Sequence, residues 1–168
     1  MSDQTEVPVP ELAPPRRVLL ATDLSSVSEP ATREALAIAE RAGAALLIVS
    51  VIEEGELAPE PGGPARRMDQ VRLDRETAAQ RVVDTARARG IRATFLIWEG
   101  RPAQALMEAA AAEGADLIVM GSHGRGRVGR LIFGSVSQAV AREAPCPVLV
   151  VRPGARPVIF RAHQPLAS

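Results

Sequence analysis

The segment Gly121-Ser122-His123-Gly124-Arg125-Gly126-Arg127-Val128-Gly129 places four glycines within nine residues, directly after the apolar run Asp116-Leu117-Ile118-Val119-Met120. Glycine lets backbone N–H groups approach a ligand with no Cβ in the way, and it accepts the positive φ angles of an anion-binding nest. A further glycine, Gly134, opens a helical segment that begins Ser135-Val136-Ser137. There the unsatisfied N–H groups and the helix dipole favour an anion, and the hydroxyls add donors. The chemistry this predicts is a polyphosphate cradle built from backbone. A tight loop followed by a serine-capped helix is the plain alternative, which a glycine-rich stretch alone does not exclude. Two placements favour the ligand: the glycines follow a strand's carboxyl end, where open α/β sheets bind, and Asp23 stands at the carboxyl end of the first strand.

Other chemistries are excluded by what the chain lacks. All 20 basic residues are arginine, so a lysine-bearing phosphate loop and Schiff-base catalysis are ruled out. His123, Asp23 and Ser135 are the types of a nucleophilic triad, but there is no Gly-x-Ser-x-Gly elbow, and no residue is assigned a catalytic role. Cys146, His123 and His163 are all the soft metal ligands present, which excludes a zinc finger, and a lone cysteine excludes an internal disulfide. Cys146, between Pro145 and Pro147, is read as a small buried hydrophobe, and Trp98, ending a strand, as a packing residue.

The 20 acidic and 20 basic residues cancel, which argues against gripping a nucleic-acid backbone. The longest apolar stretch, Pro102 to Met120, is broken by Glu108, Glu113 and Asp116, so no membrane span is expected. Met1 to Pro10 carries acids and prolines rather than a basic then apolar leader, and the expectation is a cytoplasmic protein.

The elements that must position the cradle follow from hydrophobic patterning. The 168 residues, 46% hydrophobic, suit one domain over residues 16–152, with a disordered amino-terminal tail at 1–15 and a carboxyl-terminal tail at 153–168 that holds the short apolar run Val158-Ile159-Phe160. Continuous apolar runs at Val18–Ala21, Ala44–Ile52, Ile91–Trp98, Asp116–Met120 and Pro147–Val151 predict parallel strands covered on both faces. Between them lie helices. The first is capped by Ser28, carries Ala31, Ala35, Ile38, Ala39 and Ala42 on one face, and stops at Gly43. The second shows the stripe Met68, Val71, Ala78, Val82, Val83 and Ala86; the third spans Pro102 to Glu113, and the fourth about Ser135 to Arg142. The long connection Glu53 to Pro64 leaves a strand's carboxyl end, where it could act as a lid or be a plain connector.

Taken together these residues resemble the universal stress protein family, in its ATP-binding sub-class. The resemblance is carried by Ala21-Thr22-Asp23-Leu24-Ser25, Ser50-Val51-Ile52-Glu53, Asp116 to Gly121 and Pro145 to Val151. Most specific is the spacing of Gly121, Gly124, Gly134 and Ser135. It implies an α/β, Rossmann-like fold, an open five-stranded parallel sheet in the order 3-2-1-4-5 with helices on both faces. It further implies that Ala21, Thr22 and Asp23 face an adenosine, that Val51 lines the adenine slot, and that Gly121, Gly124, Gly134, Ser135, Val136 and Ser137 hold ribose and phosphates. Met120, Ser122, His123 and Arg125 complete the expected nucleotide-binding set. The ligand so implied is ATP, or ADP or AMP, with Mg²⁺ or Mn²⁺ carried by the phosphates. A sheet edge at Val148, Leu149, Val150 and Val151 would leave an apolar ladder in water, and the resemblance agrees with a homodimer paired there. The resulting expectation is a stress-response protein that binds nucleotide, with at most slow hydrolysis or autophosphorylation. A nucleotide-dependent hydrolase or transferase and a nucleotide-free dimeric module stay open.

Overall fold

The computed structural model describes residues 13–59, 61–122, 134–154 and 156–162. In chain order they form β1 (Arg17–Ala21), α1 (Glu29–Ala42), β2 (Ala45–Ile52), α2 (Met68–Ala88), β3 (Ala93–Glu99), α3 (Pro102–Ala112), β4 (Leu117–Gly121), α4 (Ser135–Glu143), β5 (Val148–Val151) and β6 (Val158–Phe160). The sheet order is β3-β2-β1-β4-β5-β6. The five apolar runs pair in parallel; β1, β2, β4 and β5 are covered on both faces, as their continuous hydrophobicity requires, whereas the edge strand β3 is only partly covered.

Alternation along each strand divides the core in two. Val18, Leu20, Leu46, Ile48 and Val119 face α1 and α2, whereas Leu19, Leu47, Val49, Ile118, Met120 and Val150 face α3 and α4. The helices therefore change sides between α2 and α3. At the amino end of the sheet one carboxylate ties β1 to β4: Asp116 Oδ2 accepts the N–H groups of Arg16 (2.8 Å) and Arg17 (2.9 Å).

Local signals hold with one exception. Gly43, at φ 64°, ends α1 in the left-handed conformation, and Ala44 N–H donates to Ala39 O (2.9 Å), a Schellman-type closure. Ser28 does not cap α1 through its side chain. A 3-10 turn over Ser26–Ser28 runs straight into the helix, and the Ser28 hydroxyl instead donates to Ser25 O (2.8 Å) and accepts from Thr22 Oγ1 (2.8 Å).

The sheet has six strands, not five. β6 lies antiparallel on β5, pairing Val148 with Phe160, Leu149 with Ile159 and Val150 with Val158. Gly154, at φ 68°, supplies the positive φ on which the chain turns back. Of the expected open edge Val148, Leu149, Val150 and Val151, the first three are therefore paired by the chain itself, with a strand formed in the segment read as a tail. The unpaired ladder from which a homodimer was argued is absent.

The stripe of α2 differs from the apolar reading at its middle. The buried positions are Val71, Arg75, Ala79, Val83 and Ala86, with Ala78 and Val82 only partly covered. Arg75 is 3% exposed. Its guanidinium donates to the fully buried Ser50 Oγ (2.6 Å) and to Glu56 Oε2. Glu56 belongs to a 3-10 turn over Glu54–Leu57, where it and Glu53 form a reciprocal capping box. The start of the β2–α2 connection is thereby pinned to the sheet by one cation. A buried ion pair adds little to stability over a well-packed apolar substitute, yet losing one partner costs about 3–5 kcal/mol.

Two outcomes follow from these contacts. Arg75→Ala is expected to lower urea-unfolding stability by about 3 kcal/mol, and Arg75→Leu with Ser50→Ala to restore most of it. Both should speed cleavage after Glu53, Glu54 and Glu56 by a glutamate-specific protease, and unchanged cleavage would show that Arg75 does not hold the connection. A chain ended at Pro153 should give a larger mass in light scattering than the full chain at equal concentration; equal masses would mean that β6 shields nothing.

Candidate functional site

The site residues converge at the carboxyl end of the sheet because β1 and β4 part there. Ala21 and Met120 are the last paired residues of β1 and β4, and the chain then leaves β1 toward α1 on one face and reaches α4 on the other. A crevice at such a reversal is the usual ligand position in open α/β sheets.

On the β1 side, Thr22 N–H extends the ladder by donating to Val49 O (3.1 Å). The turn beyond is held by side chains. Thr22 Oγ1 accepts Leu24 N–H (2.9 Å), and Asp23 Oδ1 accepts both Ser25 N–H (3.0 Å) and Ser25 Oγ–H (2.6 Å). These bonds keep Leu24 at φ 61°, a left-handed conformation that costs a non-glycine residue about 1–3 kcal/mol. Asp23 therefore has the local structural role available to a strand-end aspartate, and it remains partly exposed at the crevice.

On the β4 side, Ser122 N–H donates to Val151 O (3.1 Å), and Gly134 N–H to Ser122 O (2.8 Å). Ser137 Oγ–H donates to Gly134 O (2.9 Å) and lies 3.4 Å from Ser122 O. The amino end of α4 is thus fixed against the carboxyl end of β4. Gly134 is the N-cap of α4 and, having no side chain, bonds none of the first-turn N–H groups itself; those of Ser135, Val136 and Ser137 have no partner within the helix. Gly134 itself has φ −62°, and a Cβ built on it would approach Ser122 O no closer than 3.4 Å, ordinary contact. Among the described residues, neither its backbone nor its neighbours demand glycine.

Of the expected nucleotide-binding residues, the structure brings together Ala21, Thr22, Asp23, Val51, Met120, Gly121, Ser122, Gly134, Ser135, Val136 and Ser137 at this end. Ser135 is exposed, Val51 and Gly121 are partly exposed, and Met120, Ser122 and Ser137 are buried. His123, Gly124 and Arg125 lie outside the described residues. The sequence reading missed Arg75 and Glu56, which fix the connection leaving β2 one residue beyond Val51-Ile52. An arginine at the centre of an otherwise apolar 71-75-79-83-86 stripe was the available signal.

Trp98 does not pack as expected; it is 40% exposed. Cys146 does: it is buried, and burial first, then the charge of Asp116, pushes its thiol up to about 11, so at neutral pH it is a thiol without nucleophilic character. A cleft of about 560 Å³ lies at the opposite, amino end of the sheet, lined by Arg17, Arg87, Arg92 and Glu113 among others. Arg17 donates there to Glu113 O and Arg87 to Ala93 O (3.3 Å), so these guanidiniums are engaged with carbonyls at helix and strand ends, where basic groups also oppose the helix dipoles. Among the described residues no helix is long and apolar enough to cross a membrane.

Comparison with known proteins agrees with this geometry. The model of the universal stress protein family matches residues 15–152. A universal stress protein of Thermus aquaticus is 41% identical over 138 residues, covering 82% of this chain and 98% of that protein. One from Methanocaldococcus jannaschii is 32% identical over 142 residues, covering 82% of each. The crystal structure of a universal stress protein in complex with cAMP superposes with a TM-score of 0.62 at 27% identity, covering 83% of this chain and 98% of that one. With its sheet order, the parting of its connections beyond β1 and β4 and a family match over residues 15–152, the chain belongs to the universal stress protein family.

Proposed function

We propose that the chain binds ATP, or a related adenine nucleotide, in the crevice between β1 and β4, and that its bound state serves as a signal in a stress response. The backbone of Ala21 and Thr22 with Asp23 meets the adenosine and Val51 the adenine. The main-chain N–H groups of Ser135, Val136 and Ser137 meet phosphate, together with Gly121, Ser122, Gly134 and, beyond the described residues, His123, Gly124 and Arg125. A divalent cation, Mg²⁺ or Mn²⁺, accompanies the phosphates.

The observation that carries this reading is Gly134. A glycine with an ordinary φ and, among the described residues, room for a Cβ, at a helix cap that itself bonds none of the first-turn donors, fits a site where an anion must approach the backbone. Support also comes from the strained turn at Leu24, a kind of strain that collects at ligand sites. That a relative has been crystallised with cAMP supports the adenine part of the assignment. No lysine is available to neutralise a transferring phosphoryl group, which favours holding nucleotide over turning it over rapidly.

The direct test is to purify the protein without added nucleotide, denature it, and identify any released small molecule by mass spectrometry; an empty protein that also gives no heat with ATP and Mg²⁺ would refute the reading. Gly134→Ser separates binding from folding. Serine is a favoured N-cap, so stability should hold or rise by a few tenths of a kcal/mol. Its hydroxyl takes the N–H that the phosphate needs, and ATP affinity should fall about tenfold or more, as loss of a charge-assisted hydrogen bond implies.

A further inference from the structure

We infer that Trp98 is a wall of the base-binding slot, an indole face on which the purine of the bound nucleotide stacks. The inference rests on the nucleotide reading above and adds to it a residue that sequence reasoning had assigned to packing.

The argument begins with register. Ala21, Val49, Leu96 and Met120 stand side by side across β1, β2, β3 and β4 on the face that carries α3 and α4. Two residues further along, on the same face and one step beyond the ladder shared with β1, Val51 is paired with Trp98. Neighbouring strands are roughly 4.8 Å apart, so an indole on β3 is within reach of anything seated on Val51. Thr22 N–H is bonded to Val49 O, which carries the chain one residue past the last β1–β2 pair, so Asp23 leaves from the same carboxyl edge of the sheet at which Val51 and Trp98 end β2 and β3.

Exposure is the second observation. Within β3 the preceding residues Phe95, Leu96 and Ile97 are all partly covered, and the largest side chain of the strand is the one left 40% exposed. Among the described residues the exposed large hydrophobic side chains are Val27, Leu73, Trp98 and Ile159, and of these Trp98 alone is aromatic. It is also the one that borders Val51. A planar, amphipathic ring left accessible beside a small aliphatic residue fits a flat heteroaromatic ligand, which gains stacking area from one and edge contact from the other. The neighbouring Arg72 does not compete for this face: its guanidinium is bonded to Ile97 O (3.4 Å) and Glu99, residues of alternate orientation on β3.

The chain has one tryptophan and no tyrosine, so emission excited near 295 nm reports on Trp98 alone. The experiment titrates the full chain with ATP and Mg²⁺, following emission and heat in parallel, with inorganic tripolyphosphate as a ligand that has the phosphates and no base. Saturable quenching by ATP with the same midpoint as the heat, and none with tripolyphosphate, is expected. Trp98→Leu should weaken ATP about tenfold, in the range that stacking on an aromatic side chain supports, while leaving tripolyphosphate affinity unchanged, and Trp98→Phe should keep most of the ATP affinity. Heat of ATP binding with no change in emission, or with Trp98→Leu binding ATP as well as the parent, would overturn the inference and leave the nucleotide reading intact. No heat with ATP at all would overturn both.

Discussion

Everything at the carboxyl end of this protein depends on β1 being paired in parallel on both sides while the connections beyond it diverge. Its neighbour β2 is reached through a helix on one face; its other neighbour, β4, continues to a helix on the opposite face. At the amino end the two strands are held together by Asp116, which gathers the N–H groups of Arg16 and Arg17 onto one carboxylate oxygen. Beyond Ala21 and Met120 the two chains leave for opposite faces of the sheet. The result is a crevice whose walls are main chain: Thr22 to Ser25 on one side, Ser122 and Gly134 to Ser137 on the other. Walls of main chain suit the anion-binding role proposed for them in a chain that has no lysine.

The two walls are built differently. The β1 wall is a turn locked by hydroxyl and carboxylate contacts, three of them within four residues, that keep Leu24 in a left-handed conformation. The β4 wall is a helix start anchored by main chain, with Gly134 donating to Ser122 and Ser137 reaching back over both. Rigidity on the first side and open donors on the second suit a ligand that is apolar and flat at one end and charged at the other. The buried Arg75 adds a third fixed point, holding the chain as it leaves Val51 and Ile52.

Most of the architecture was legible because parallel strands covered on both faces must be apolar throughout, and runs such as Leu46-Leu47-Ile48-Val49 have few other uses. The sheet order and the crevice came from the family resemblance, not from patterning. Three features escaped for physical reasons. A strand of three residues inside a proline-rich segment, Val158 to Phe160, has too little length to show a period, and its existence depends on β5 waiting to receive it. Arg75 escaped because a helix stripe is found by counting apolar residues, and a cation buried by partners distant in sequence, Ser50 and Glu56, breaks the count. Ser28 carried every sign of a cap, but its hydroxyl found a better pair of partners in Thr22 and Ser25. Within the candidate site, Gly121 ends β4 and Gly134 caps α4; that Gly134 has room for a Cβ among the described residues could be learned only from its surroundings.

The antiparallel return of β6 also decides where the polypeptide can be tethered. β5 runs toward the carboxyl end of the sheet, so β6 runs back and delivers residue 160 to the amino end, where β1 also begins. With β1 central and β6 outermost, about three strand spacings, roughly 14 Å, separate the two points. A bead, a fluorophore or a second folded unit joined before residue 13 or after residue 162 would therefore leave from the end of the sheet remote from the crevice.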